Sequence, residues 1–403
     1  MVASRSDSQQ GGSFRRLVYP LAASVGVGFG AILYGTSVLI TSEAAGAEFS
    51  IGLLSTGFSG SVLTGAAVAV PVGRRADRHG IRAIVGVGGL LVALGFAAFA
   101  VSTASWQVIA AWWLLIGPGS AMVLFDPAFV AIQQWFSPRD RNRAAGTLTV
   151  ITGLAGPVFV PGTTAAVAAM GWRPTAALLG GVVLTIAWVT AGLALRVAPR
   201  PQPGPERSLK LTGRLPAGFI PLTGAIMAGL AAVEAIQVHR IARFEITGFD
   251  TGTLAFWAAA ASLLSLPGRF LLPRLANRFS SPWLLLAVTG LLVPAFALAI
   301  RGTTPAEMVG HFVIFGLLFG AVIPLRAVVM SDWFSGPRFG VLMGVQAVAI
   351  AGGRSGGPAL VGWIAESPGG YPLGMALLTT LLAISGGLLV LAVRRRGGVF
   401  AGQ

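Results

Sequence analysis

Residues 73–82 read GRRADRHGIR, and residues 83–101 read AIVGVGGLLVALGFAAFAV. A segment rich in arginine and bounded by glycine is therefore followed by a run that contains no charged residue. A helix needs about 20 apolar residues to cross a bilayer. The change from basic to uncharged sequence predicts a membrane helix that begins at the membrane surface.

Similar apolar runs, separated by short polar segments, cover the rest of the chain. They predict twelve membrane helices, at 17–41, 51–72, 83–101, 107–133, 144–169 and 174–196, and at 215–238, 251–273, 283–301, 305–330, 339–363 and 372–393. The first run is long enough to span the bilayer, which distinguishes it from the apolar region of a cleaved signal peptide. The fold class expected is an all-α membrane protein.

The longest polar connection, 197–214, is rich in proline and arginine and divides the chain into two halves. The domains expected are a cytoplasmic tail (1–16), an N-terminal six-helix half (17–196), a cytoplasmic central loop (197–214), a C-terminal six-helix half (215–393) and a second cytoplasmic tail (394–403).

Composition favours lipid as the solvent of this chain. Of the 403 residues, 55% are hydrophobic and 10% are charged, whereas about a quarter of a soluble protein is charged. The net charge of +15 falls in small clusters between apolar runs, which argues against nucleic-acid binding. The chain has no cysteine, and its three histidines are scattered. We expect no metal, no cofactor and, without a P-loop or a nucleophile–base pair, no enzymatic activity.

The distribution of basic residues predicts the orientation. If both termini and the central loop are cytoplasmic, 21 of the 28 basic residues lie on the inner side. Four lie in outer loops, namely Arg173, Arg240, Arg243 and Arg301. Such a bias is the signature of cytoplasmic loops. We expect a multi-pass protein of the plasma or inner membrane, functional as a monomer in the bilayer.

The two halves repeat short motifs about 200 residues apart. The pairs are 135–139 with 333–338, 76–78 with 276–278, and 156–157 with 357–358. Repeats in the same orientation are typical of transporters in which two halves rock about a central substrate site.

Residues 73–82 also carry a family motif. Gly73, Asp77, Arg78, Gly80 and Arg82 occupy the positions of the pattern Gly-x-x-x-Asp-Arg-x-Gly-x-Arg/Lys. This resembles the signature between helices 2 and 3 of the major facilitator superfamily. The resemblance covers the whole chain, with a degenerate copy at 268–278. It implies twelve helices in two pseudo-symmetric halves.

The residue types of the motif suit a cytoplasmic gate. Glycines allow helices 2 and 11 to approach closely. Asp77 can accept hydrogen bonds from a helix N-terminus and pair with a basic residue. The alternative is that the arginines only determine topology, but topology alone would require neither the acid nor the glycines.

Two features of drug–proton antiporters in this superfamily are absent or weak. Residues 112–119 contain glycines but lack the arginine of helix 4, and the helix 5 antiporter motif is only loosely echoed by 153–161. Both departures argue against a standard antiporter of that kind.

Charged residues inside the predicted helices are candidate site residues, because burying a charge in a bilayer is costly. Arg269 in helix 8 and Arg354 in helix 11 could attract a carboxylate and bind it bidentately. The strings 267–269 and 354–358 resemble the oxalate–formate antiporters and monocarboxylate porters, which place basic residues in these helices at the substrate site. Alternatively, Arg269 belongs to a closing network and Arg354 pairs internally. Tyr34 in helix 1 could offer a hydroxyl to the substrate.

Four other polar residues are candidates for proton coupling or gating. Asp126 in helix 4 could carry a proton or form a fixed ion pair. Glu234 and His239 lie near the predicted outer end of helix 7, where His239 could titrate near neutral pH or simply be a polar contact. Arg326 lies nearer the inner end of helix 10, which favours a gating role.

The function expected is secondary active transport of a small organic anion, with coupling to protons or exchange. The alternative is a proton-coupled exporter of a hydrophobic cationic or neutral compound, for which Asp126 and Glu234 would be the working residues. A membrane-bound enzyme or a sensor is disfavoured, because neither catalytic motifs nor a long soluble region is seen in the sequence.

Overall fold

The structure is a computed structural model that describes residues 3–46, 48–196 and 215–400. Every regular element in these ranges is a helix, so the all-α prediction is confirmed. The predicted central loop, 197–214, lies outside the described residues.

The helices of the first half are interrupted by three π-helical segments, π1 to π3. Their bounds are α1 (Ala3–Phe29), π1 (Gly30–Gly35), α2 (Thr36–Thr41), α3 (Glu43–Gly46), α4 (Ile51–His79), α5 (Arg82–Ala100), α6 (Ser105–Ala110), π2 (Ala111–Ile116), α7 (Gly117–Val123), α8 (Phe125–Trp135), α9 (Pro138–Gly153), α10 (Ala155–Met170), α11 (Trp172–Val189) and π3 (Thr190–Ala194).

The second half has longer uninterrupted helices. They are α12 (Phe219–Glu245), α13 (Thr251–Leu275), α14 (Ser281–Arg301), α15 (Pro305–Phe319), α16 (Val322–Phe334), α17 (Phe339–Ala365) and α18 (Gly370–Phe400).

Among the described residues, eleven helical stretches are long and apolar enough to cross a membrane. They correspond to predicted helices 1–10 and 12. Predicted helix 11 is α17, whose 27 residues are also long enough. Gln346, Arg354 and several glycines lower its hydropathy, so length supports its assignment as a span while composition does not.

Two helices extend well beyond the apolar runs that predict them. Helix 2 ends at His79, and helix 7 ends at Glu245. Hydropathy marks the part of a helix that lies in the bilayer, whereas backbone hydrogen bonding continues into polar sequence. The sequence predicted Arg240 and Arg243 in an outer loop. The structure corrects this prediction, because both residues lie inside α12.

Predicted helices 4, 5 and 10 are each broken shortly before a proline. The breaks are at Leu124, at Leu154 and at 320–321. Pro127, Pro157 and Pro324 follow them by three or four residues. Proline lacks an N–H group and its ring clashes with the carbonyl four residues earlier, which explains the position of each break.

The chain divides into two compact units. The first is Met1–Lys210 with Ser335–Val348, and the second is Leu211–Phe334 with Ala349–Gln403. The first turns of α17 thus belong to the first unit. In the core of this unit, the buried Trp112 ring contacts Phe58, Phe96 and Phe99 edge-on.

Candidate gate and substrate sites

The gate motif lies mostly within a helix. Gly73, Asp77 and Arg78 occupy the last two turns of α4, so the expectation of a loop at 73–82 is corrected to a turn of two residues, 80–81. Gly80 ends the helix with a φ of 71°, a left-handed conformation that favours glycine. Arg82 begins α5, and its Nε donates to the carbonyl of Ala191 (3.1 Å).

Asp77 binds the N-terminus of α17 within the first unit. Its Oδ1 accepts a hydrogen bond from the backbone N–H of Gly340 (2.8 Å), and its Oδ2 accepts one from that of Val341 (3.0 Å). The side chain is buried. A carboxylate at a helix N-terminus satisfies backbone donors that have no partner within the helix and interacts favourably with the helix dipole.

Glycines allow α4 and the start of α17 to come into backbone contact. A Cβ atom on Gly73 would overlap the carbonyl oxygen of Gly340, and one on Gly344 would lie 2.6 Å from the carbonyl oxygen of Ala69. Any side chain at these positions would push the two segments apart. The geometry that holds Asp77 on α17 therefore depends on residues without side chains.

Asp126 and Arg326 each lie just beyond a helix break. Asp126 is the second residue of α8, where the helix dipole favours a negative charge. Arg326 is in the second turn of α16 and is buried. Segments interrupted at corresponding positions of two repeats are a structural pointer to the binding site of a transporter. Both candidates thus lie at the kind of position where a solute site is built.

Tyr34 is in the irregular part of helix 1. It belongs to π1, and its ring lies edge-on to Phe29, with centroids 5.9 Å apart. A Cβ atom on Gly156 would lie 3.1 Å from the ring. Single π-helical turns are frequent at functional sites, and the side chain is partly exposed. The structure leaves Tyr34 accessible at the point where α10 passes close to helix 1.

The structure brings two separately predicted residues together in the second unit. Nη2 of Arg354 lies 2.7 Å from Oε1 of Glu234, and the two side chains are 34% and 30% exposed. Close packing of α12 and α17 makes this contact feasible. Cβ atoms on Gly353 and Gly357 would lie 2.8 Å and 2.5 Å from carbonyl oxygens of α12. Arg354 therefore has an internal partner and remains partly accessible.

His239 bridges the same two helices farther along α12. Its Nε2 lies 2.9 Å from the carbonyl oxygen of Pro358, and because a carbonyl can only accept, Nε2 carries the hydrogen. The ring centroid is 5.7 Å from that of Tyr371. Since α12 continues to Glu245, His239 lies inside the helix instead of at its outer end.

Arg269 lies on a different helix pair. Its Nε is 3.4 Å from Oγ of Ser265 on its own helix, α13, and its guanidinium lies 5.8 Å from the ring centroid of Phe319. The same Nε would lie 3.0 Å from a Cβ atom on Gly320. Arg269 thus packs against the break in helix 10, whereas Arg354 belongs to the α12–α17 pair.

Two buried arginines on α12 were not among the predicted site residues. Arg240 is 6% exposed and Arg243 is 3% exposed. Nη2 of Arg243 donates to the carbonyls of Ile300 (2.7 Å) and Arg301, at the C-terminal end of α14. Spacing in the sequence could have indicated the burial of Arg240. Ile236, Arg240 and Phe244 recur every four residues and so lie on one helical face.

Long apolar helices, paired repeats, broken helices and charges inside the bilayer define a multi-pass membrane transporter. Residues 18–238, more than half of the chain, match the Major Facilitator Superfamily, and the chain belongs to this superfamily. The recognition made from the motif at 73–82 is thereby confirmed.

The relatives include named monocarboxylate transporters. Monocarboxylate transporter 13 of Bos taurus is 27% identical over 331 residues, which is 79% of this chain and 76% of the relative. Monocarboxylate transporter 11 of Homo sapiens is 27% identical over 346 residues, 81% of this chain and 72% of the relative. The solved structure of the human organic anion transporter MFSD10 shares the fold, with a TM-score of 0.74, 15% identity, and coverage of 93% of this chain and 99% of that one.

Proposed function

We propose that this transporter moves a small carboxylate by alternating access, driven by proton coupling or by exchange for another anion. The observation that carries the proposal is the ion pair between Arg354 and Glu234. A carboxylate substrate presents the same group as Glu234 to the same guanidinium. A planar guanidinium binds carboxylates bidentately, so substrate and Glu234 are natural competitors for Arg354.

This competition supplies a mechanism for proton coupling. While Glu234 is ionised, it neutralises Arg354 and weakens its attraction for an external anion. Protonation of Glu234 removes that competitor. The proton and the anion therefore favour each other's binding, and this coupling must be reciprocal. Transport of the loaded site would carry both across the membrane.

Three further considerations support a carboxylate as the substrate. The sequence relatives are named for monocarboxylates. Arg269 adds a second positive charge beside the interrupted helix 10, and Asp126, Arg326 and Tyr34 lie at irregular segments where solute sites form. We also propose a cell-membrane location with both termini cytoplasmic, which the positive-inside bias supports, and a functional monomer.

The gate role of the motif is also part of this proposal. The two hydrogen bonds from α17 to Asp77 must break and re-form if α17 moves away from α4 during the transport cycle. Arg78 follows Asp77 on α4 and Arg82 begins α5, and Gly73 and Gly80 shape the backbone around the contact. Asp77 would then control turnover without contacting the substrate.

The test is uptake of a panel of radiolabelled C1–C6 monocarboxylates into proteoliposomes with an imposed pH gradient. Arg354→Gln and Arg269→Gln should each abolish uptake, whereas Arg301→Gln, a change at an arginine whose side chain is 79% exposed, should not. Normal uptake by both site variants would rule out the anion site. Transport of lipophilic cations, but not of carboxylates, would instead favour the exporter alternative.

A further inference from the structure

Arg240 on α12 is buried, and two of its nitrogen atoms have no hydrogen-bonding partner among the described residues. Its guanidinium carbon lies 5.0 Å from the ring centroids of both Phe312 and Phe315 on α15. In the part of the chain that the structure describes, its Nε and Nη1 make no hydrogen bond. Cation–π contacts offset part of the cost of burial, but a buried charge normally requires an ion partner as well.

His311 faces the same two phenyl rings. It is completely buried, and its ring centroid lies 5.1 Å from that of Phe312 and 5.7 Å from that of Phe315. Its Nδ1 donates to the carbonyl of Ala295 (2.8 Å). Its Nε2 has no hydrogen-bonding partner among the described residues. Arg240 and His311 therefore pack on the same two rings, and three of their buried nitrogen atoms have no hydrogen-bonding partner among the described residues.

The acid that precedes His311 on the same helix is already engaged. Glu307, one turn before His311 on α15, accepts hydrogen bonds from the backbone of Thr303 (2.9 Å) and Thr304 (3.0 Å). It also lies 3.5 Å from Nε of Arg301. Glu307 consequently serves the start of α15 and a surface arginine, and none of the ion pairs among the described residues includes Arg240.

We propose that Arg240 is the centre of a buried site for one small monovalent anion, a halide or a short carboxylate. The Nε–H of Arg240 donates to the anion, and the Nη1–H, on the opposite edge of the guanidinium, donates to a separate water molecule. A water molecule that donates one hydrogen to Nε2 of His311 and the other to the anion satisfies the remaining nitrogen. The surrounding rings, which include Phe244 at 5.5 Å from the His311 ring, restrict the anion to a small size. This site is separate from Arg354 and does not depend on the proposed transport function.

The first experiment measures the melting temperature of the purified full-length protein in methanesulfonate medium as chloride, bromide or formate is added. A ligand that binds the native state raises the apparent stability in a saturable way. For chloride and bromide we expect a saturable rise of a few degrees that is lost in Arg240→Gln and retained in Arg301→Gln and Arg354→Gln. Formate is titrated in Arg354→Gln, which lacks the arginine of the proposed substrate site, so that a formate effect there does not come from that site.

The second experiment uses the unmodified protein, so that it remains informative if Arg240→Gln does not fold. Crystals soaked in bromide should show anomalous density within hydrogen-bonding distance of Arg240. Absence of that density together with no saturable anion effect would overturn the proposal. So would an anion effect that is equal in Arg240→Gln, because the arginine would then be only a stacked cation with a hydrating water.

Discussion

Replacing Glu234 by glutamine tests the proposed competition for Arg354 directly. The substitution keeps the size and a hydrogen-bonding oxygen but removes the negative charge. If Glu234 competes with the substrate, Glu234→Gln should bind carboxylates more tightly than the wild type at neutral pH.

The magnitude follows from the geometry of the pair. With charge centres about 4 Å apart and an effective dielectric constant of about 20, the attraction is about 4 kcal/mol. Both side chains are about one-third exposed, at 34% and 30%, and solvent screening and desolvation reduce the net value to about 1–2 kcal/mol. Since about 1.4 kcal/mol is a tenfold change in affinity, the dissociation constant should fall by about fivefold to thirtyfold.

The assay has two parts. A thermal-shift screen first identifies the carboxylate that stabilises the protein most, and calorimetric titrations of the wild type and of Glu234→Gln at pH 7 then give its affinity. The dissociation constant should be smaller for Glu234→Gln than for the wild type. In proteoliposomes, the variant should lose proton-driven accumulation and keep anion exchange.

Glu245→Gln is the matched control, since Glu245 is an exposed acid at the end of the same helix. It should behave like the wild type. A folded Glu234→Gln protein that binds carboxylates no better than the wild type, or that still accumulates them with the pH gradient, would refute the competition between Glu234 and substrate.

Three further predictions concern the gate and the packing. Asp77→Asn weakens the charge-assisted bonds to α17, worth roughly 1.5–3 kcal/mol each, so stopped-flow uptake should show slower turnover with little change in KM; a pure loss of affinity would contradict the gate. Gly357→Ala places a Cβ atom 2.5 Å from a carbonyl oxygen of α12 and should lower stability by about 1–3 kcal/mol. Gly356→Ala meets nothing within 4 Å and should not lower the melting temperature, because alanine favours a helix over glycine. The Arg173 guanidinium, followed by the indole N–H of Trp172, holds the pKa of Glu48 below its usual 4.5. A small stabilisation present above pH 4.5 should therefore disappear as the pH falls through the lowered pKa, and thermal melts of Arg173→Gln, which keeps the Trp172 bond, should show a smaller acid-side loss.

Repeated local features of the two halves were only partly visible in the sequence. The backbone N–H groups of Thr103 and Ala104 donate to the side chain of Gln107 (2.7 Å and 3.2 Å), as those of Thr303 and Thr304 do to Glu307. Both contacts begin the helix that precedes a proline-induced break. The short motifs revealed that the two halves repeat. The equivalence of these two helix starts was not visible in the sequence, because Gln107 in the first half corresponds to Glu307 in the second.

Helix ends were the least predictable part of the fold. Apolar sequence marks only the part of a helix that lies in the bilayer. The end of the apolar run therefore predicted the end of helix 7 near residue 238 and placed Arg240 in a loop. The backbone of α12 continues to Glu245, because its Arg240 and Arg243 side chains find aromatic rings and carbonyl groups of neighbouring helices to contact. Those partners are more than 50 residues away in the chain.

The amino-acid sequence by itself determined the class of this protein. Twenty-residue apolar runs require helices because a bilayer offers no other partner for backbone groups, and the pattern at 73–82 identified the superfamily. Pairings among the charged residues were decided only by the tertiary structure. Glu234 and Arg354 are 120 positions apart, and they meet because glycines on α17 allow it to pack against the backbone of α12. A charged residue inside a membrane helix predicts that a partner is needed, because an unpaired charge there is costly. Which residue becomes the partner depends on how the helices pack.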